Sequence, residues 1–205
     1  RTMQVKSDQM MQRILASRKA LLHPLGLSEI PREKAAEEGG CGVVGFAASV
    51  PVRGRHIFEP SMQMHNRGNG KGGGIAAAAL NPEQLGVDAE TLKTHYLLQI
   101  ALIDSKAEPS VESEFISPHF DIAHRNRIQP AGDYRDVGLN VKPPDIVQYF
   151  VRVKADVLER FSRSHQMTGA LLRDIEDEFI YQNSIRLNQR FYASLGKQRA
   201  FVMSH

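Results

Sequence analysis

Apolar residues along this chain fall into runs with a regular period, separated by stretches that have none. Over residues 7–22, Met11, Ile14, Leu15, Leu21 and Leu22 recur at the spacing of one helical face, and Arg18 interrupts that face. Ser7 or Asp8 can cap this helix, and His23-Pro24 ends it. Residues 30–38 are charged and aperiodic and lead into Gly39-Gly40, which reads as an accessible linker. Beyond it lie short apolar runs. Residues 42–49 and 74–80 predict buried strands, although the alanines of 74–80 would equally suit a helix, and 58–66 a short helix. A third strand is expected over 94–103, a short helix capped by Ser110 over 110–116, and an alternating strand over 146–154. The last third reads as helix over 155–164 and again over 170–194. There Leu172, Ile175, Phe179, Ile180, Leu187 and Phe191 make a core-facing stripe, and the acidic run Asp174 to Glu178 makes a solvated face. Gly196 stops that helix, and 199–204 opens another strand. The class predicted is α+β.

Composition narrows the function classes. The chain has 205 residues, 41% apolar and 24% charged, enough for one sizeable core and against wholesale disorder. No apolar run approaches the ~18 residues of a membrane span, and no signal-peptide pattern occurs. A net charge of +3 is too small to mark a nucleic-acid binder. The expectation is a cytoplasmic protein without membrane or nucleic-acid partners. One cysteine, Cys41, excludes an intrachain disulfide and a four-cysteine zinc site. Residues 1–22 hold five basic side chains against one acid, Asp8, as an organelle transit helix would; a helix with a solvated basic face is the simpler reading.

Eleven of the sixteen glycines lie between Gly39 and Gly86. Among them Gly68, Gly70 and Gly73 match G-x-G-x-x-G, with Asp88 twenty residues beyond Gly68, the outline of a dinucleotide fingerprint. The context fails, because no buried strand precedes the glycines and no helix N-terminus follows to face a pyrophosphate. A Walker loop fails too, since His65 stands where glycine is needed and Gly72 follows Lys71. His119 and His124 are five apart, on opposite faces of any extended segment, and no helical histidine pair exists; no metal site is expected. No serine sits in a nucleophile elbow.

Cys41 stands between Gly40 and Gly42 at the head of an apolar run. A cysteine there is ordinarily small core filler. The flanking glycines permit another chemistry. Cleavage between Gly40 and Cys41 would leave a residue with both a thiol and a free α-amine, whose pKa near 7.7–8.0 suits it to take the thiol's proton.

Cys41-Gly42-Val43-Val44-Gly45-Phe46, then Met64-His65-Asn66-Arg67-Gly68, then Gly72-Gly73-Gly74-Ile75-Ala76, resemble the class II glutamine amidotransferases, in particular the amidotransferase domain or subunit of glutamate-synthase-type proteins. The likeness extends over most of residues 41–205, through Tyr96 to Ala101 and Tyr181 to Ser184. It implies an N-terminal nucleophile hydrolase fold, an αββα sandwich. It also implies glutaminase chemistry at Cys41, with Gly42, His65, Arg67, Gly68 and Gly74 as motif residues near the site. Residues 1–40 would be a leader or propeptide with its amphipathic helix, and 41–205 the N-terminal part of the amidotransferase domain. The family's arginine–tyrosine element for the substrate carboxylate and its Asn-Gly oxyanion-hole pair find no counterpart, so the substrate-binding residues are unknown. The domain is expected to be incomplete and inactive alone. Glutamine would be the substrate and a synthase domain or subunit the ammonia acceptor, within an oligomer. This chain would hold no cofactor; FMN and an iron–sulfur cluster would belong to the partner. The alternatives are the amidotransferase-like subunit of an N-methylglutamate-forming enzyme and a non-catalytic docking subunit that keeps the fold.

Overall fold

The computed structural model describes residues 2–22, 42–64, 67, 74–129, 132–137, 141–194 and 196–205. The helices are α1 (Thr2–Leu22), α2 (Phe58–Gln63), α3 (Ala89–Thr94), α4 (Glu108–Val111), α5 (Ala155–Ser164) and α6 (Leu172–Phe191). The strands are β1 (Tyr96–Leu102), β2 (Phe120–Ile128), β3 (Asp145–Val153) and β4 (Ala200–Ser204). Contacts divide the chain into two units, one of Arg1–Leu27 with Asn81–His205 and one of Ser28–Leu80.

The larger unit is mixed α/β, built on one open antiparallel sheet in the order β2-β3-β1-β4. Its two inner strands, β1 and β3, are buried on both faces over most of their length. Ile100 pairs with Val147 and Leu98 with Tyr149, so these side chains share the face that α4, α5 and α6 cover. Phe161 of α5 and Phe179 of α6 meet edge to face there, with ring centroids 5.3 Å apart. Each large side chain taken fully from water on this face, Ile100, Ile180 and Leu187 among them, contributes about 1.5–3 kcal/mol.

The opposite face carries a polar row across the whole sheet. Asn126, Gln148, Gln99 and Ser204 stand in register on β2, β3, β1 and β4. Gln148 Nε2 donates to Gln99 Oε1 at 2.8 Å, and Gln99 Nε2 donates to Ser204 Oγ at 2.8 Å. Phe150 and Ala101 flank the row on the same face, fully buried.

β1, β3, β4, α5 and α6 lie where the sequence pattern puts them, within a few residues. Three expectations are corrected. Residues 42–49 and 74–80 form no strands and pair with nothing among the described residues; Val43 is 87% exposed and Ile75 61%. Glycine and alanine offer such a segment little apolar area, so no neighbour repays its ordering. The helix expected over 58–66 closes at Gln63, with Met64 as its C-cap. β2 (FDIAHRNRI) is a strand the pattern did not show. Residues 30–38 and the Gly39-Gly40 pair lie outside the described residues.

Candidate functional site

Of the residues singled out by the resemblance, Cys41, His65 and Gly68 lie outside the described residues, as do Gly70, Gly72 and Gly73. Gly42, Arg67 and Gly74 are described. Gly74 is exposed, and a Cβ there would meet nothing within 4 Å. Gly42 is different. A Cβ built on it would stand 2.9 Å from Met64 Cβ, 3.0 Å from the Met64 carbonyl oxygen and 3.2 Å from Arg67 Cβ. Only glycine permits this approach. The Met64 carbonyl cannot easily swing away, because it accepts the Arg67 N–H at 3.0 Å. Helix α2 leads into that turn, with Ser61 Oγ donating to the Ile57 carbonyl at 2.6 Å and the Met64 N–H reaching Ser61 O at 3.0 Å. The residue bonded to Cys41 is therefore pinned against the turn that carries Arg67. Two motifs twenty residues apart in sequence are brought together within one unit.

The other candidates have structural roles. Asp88 caps α3, accepting the Thr91 N–H at 2.6 Å, and that bond holds its carboxyl below the ordinary range. His119 packs edge-on against Phe179 at 5.6 Å, whereas His124 sits by Phe150 on the other side of the sheet, 6.2 Å between centroids. Among the described residues no cluster of three or more His, Cys, Asp or Glu is placed to hold a metal. Among the described residues no helix is long and apolar enough to cross a membrane.

The acidic run on α6 is the clearest departure from the sequence reading. Glu176 and Glu178 are 2% and 3% exposed, not solvated. Glu176 Oε1 accepts the Val153 backbone N–H at 2.8 Å and Arg152 Nε at 2.9 Å, and Oε2 lies 2.8 Å from Arg152 Nη2. Val153 extends past the last β1 pairing, so a carboxylate serves its N–H where a strand does not. Glu178 Oε2 receives a fork from Arg18 of α1, Nη2 at 2.7 Å and Nε at 3.0 Å, and Oε1 accepts Gln182 Nε2 at 2.9 Å. The Arg18 guanidinium lies over the Tyr181 ring, 4.1 Å from its centroid. The residue that interrupts the apolar face of α1 is thus one of its ties to α6, beside the Gln182–Ser17 and Gln189–Leu21 bonds.

A second ion cluster explains β2. Arg127 donates to Glu108 at 2.6 Å and to Asp145 at 2.7 Å; Arg125 donates to Glu112 at 2.8 Å and also to Glu108. Tyr149 O–H donates to the same Glu112 at 2.8 Å, and burial, with that carboxylate, pushes its pKa up. Arg127 holds the Asp145 carboxyl below its ordinary range.

Comparison with family models, curated proteins and solved structures finds no match for this chain.

Proposed function

We propose that this chain is the glutaminase part of a class II glutamine amidotransferase of glutamate-synthase type. The observation that supports the reading is the contact of Gly42 with Met64 and Arg67, which joins the C-G-V-V-G element to the H-N-R-G element. An open antiparallel sheet with helices packed on one face is compatible with half of an αββα sandwich.

In the proposed reaction, cleavage after Gly40 frees the Cys41 α-amine. The amine accepts the thiol proton, and the thiolate attacks the side-chain carboxamide carbon of glutamine. Hydrogen-bond donors stabilise the oxyanion of the tetrahedral adduct. The C–N bond breaks, and the α-ammonium returns its proton to the departing nitrogen as ammonia. Water then adds to the γ-glutamyl thioester and releases glutamate and the thiol. The ammonia passes to a partner synthase subunit or domain, which would carry any flavin or iron–sulfur centre.

Intact-mass and N-terminal analysis of the native protein test the first step: the mature chain is expected to begin at Cys41. In the assembled enzyme, Cys41→Ala is expected to abolish glutamine-dependent product formation and leave ammonia-dependent formation intact. Unchanged glutamine-dependent activity in C41A, or activity from an uncut chain, would overturn the proposal. The first result would point to a docking subunit.

A further inference from the structure

We infer that the cleft between α1, the C-terminal end of α5 and α6 is a binding site for a small oxyanion, a phosphate- or carboxylate-bearing molecule. The site belongs to the chain before cleavage at Gly40, since Arg13 and Ser17 lie in the segment that the glutaminase reading removes.

The cleft measures about 730 Å³. Its lining includes Arg13 and Arg186, with Ser17 and Gln189 as neutral polar groups, and contains no aspartate or glutamate among the described residues. Arg186 is the decisive residue. It is half-buried, and its one hydrogen bond among the described residues runs to a neutral acceptor, Gln182 Oε1, at 3.2 Å. The comparable arginines of this unit have carboxylates: Arg18 has Glu178, Arg127 has Glu108 and Asp145, and Arg152 has Glu176. Arg186 pairs with no carboxylate among the described residues, and burial alone lowers its pKa. A guanidinium partly withdrawn from water without an anion is disfavoured, and an oxyanion in the cleft would offset that cost.

The remaining donors are placed for the same ligand. Arg13 is anchored at the cleft by one N–H to the Gln166 carbonyl at 2.7 Å, and its other N–H groups remain. Ser17 Oγ accepts Gln182 Nε2 at 2.7 Å, which leaves its hydroxyl proton to donate. Two features oppose an anion, and both are already answered. The carbonyls of Phe161, Ser162 and Arg163 at the end of α5 are taken up by the N–H groups of His165, Met167 and Gln166 and by the Ser164 hydroxyl. Glu178, beyond Gln182, is neutralised by Arg18.

The test is titration of the full chain with sodium phosphate and with sodium citrate, each against sodium chloride at matched ionic strength. Thermal midpoint and amide exchange over residues 13–22 are the readouts. Saturable stabilisation is expected with at least one of the two oxyanions, together with slower exchange in α1, because the ligand would bridge Arg13 and Arg186. Response to phosphate alone identifies a phosphoryl ligand, and response to citrate alone a carboxylate. Arg186→Gln is expected to weaken binding about tenfold or more, the loss of a charge-assisted hydrogen bond. Ala20→Glu adds a carboxylate from an exposed position of α1 without touching Arg186, and should abolish binding. Effects no greater than those of chloride, or wild-type titration curves in both variants, would overturn the inference.

Discussion

Replacing Glu176 separates the two kinds of acid on α6. Three bonds converge on its carboxylate: one from the Val153 backbone N–H and two from the Arg152 guanidinium. Truncation to alanine orphans a buried N–H, which costs about 1–3 kcal/mol. It also breaks an ion pair, for which the fully buried figure is about 3–5 kcal/mol. The Arg152 side chain is 46% exposed and can rehydrate, so the ion-pair loss falls well below that figure. The expected cost of Glu176→Ala is about 2–4 kcal/mol. Glu176→Gln keeps an acceptor for the Val153 N–H but turns the oxygen that receives Arg152 Nη2 into a donor, at about 1–2 kcal/mol. Asp174→Ala, two residues earlier in the same run but exposed, should stay within about 0.5 kcal/mol of wild type. Urea unfolding followed by far-ultraviolet circular dichroism measures all three, provided the m-values agree. A Glu176→Ala loss under 1 kcal/mol, or equal losses for alanine and glutamine, would refute the assignment of the backbone bond as the main contribution.

Two further outcomes follow from the geometry. Burial, with Arg186, Lys154 and Arg160 nearby, holds the His119 pKa below its ordinary 6.5. As pH falls through 6.5 the unfolded chain binds the proton first, so stability is full above that point and declines as pH drops toward the folded value. In His119→Gln that decline should be shallower between about pH 7.5 and 5.5 in unfolding free energies measured across the range. Gly42→Ala should cost about 1–3 kcal/mol through the forced contact with Met64, read as faster proteolysis within residues 42–80 while the sheet unit keeps its midpoint.

Much of the sheet unit was legible because its signals are local. The apolar run of β1, the apolar positions of β3 and the stripes of α5 and α6 are signals within ten to twenty residues. Both strands are buried over most of their length and the α6 stripe from Ile175 to Phe191, whereas Leu172 is exposed. What escaped the sequence depends on distant partners. β2 reads as polar because Arg125 and Arg127 take their carboxylates from Glu108, Glu112 and Asp145, which no window on β2 contains. Residues 42–49 look strand-like, but a strand needs a neighbour to bond to. A usable signal was present on α6. Glu176 falls four residues before Ile180, on the apolar stripe itself, and Arg18 breaks the stripe of α1. Charges at core positions of two helices are a hint that they have buried partners, Glu178 for Arg18 and Arg152 for Glu176. The candidate site was legible as motif spacing; the close approach at Gly42 was not, since a glycine in sequence does not say what it touches.

The strand order also bears on how the chain is made. Of the four described strands β1 is the first to leave the ribosome, yet it ends between two later ones. Ile100 must wait for Val147, 47 residues on, and for Val202, 102 residues on. At roughly 5–20 residues per second, its second edge stays open for about 5–20 s of synthesis. During that interval a nascent chain presents Leu-Leu-Gln-Ile-Ala-Leu with its hydrogen-bonding groups unmatched. Ribosome-bound intermediates arrested before residue 200 should therefore be the chain's most aggregation-prone form and the one most dependent on chaperones.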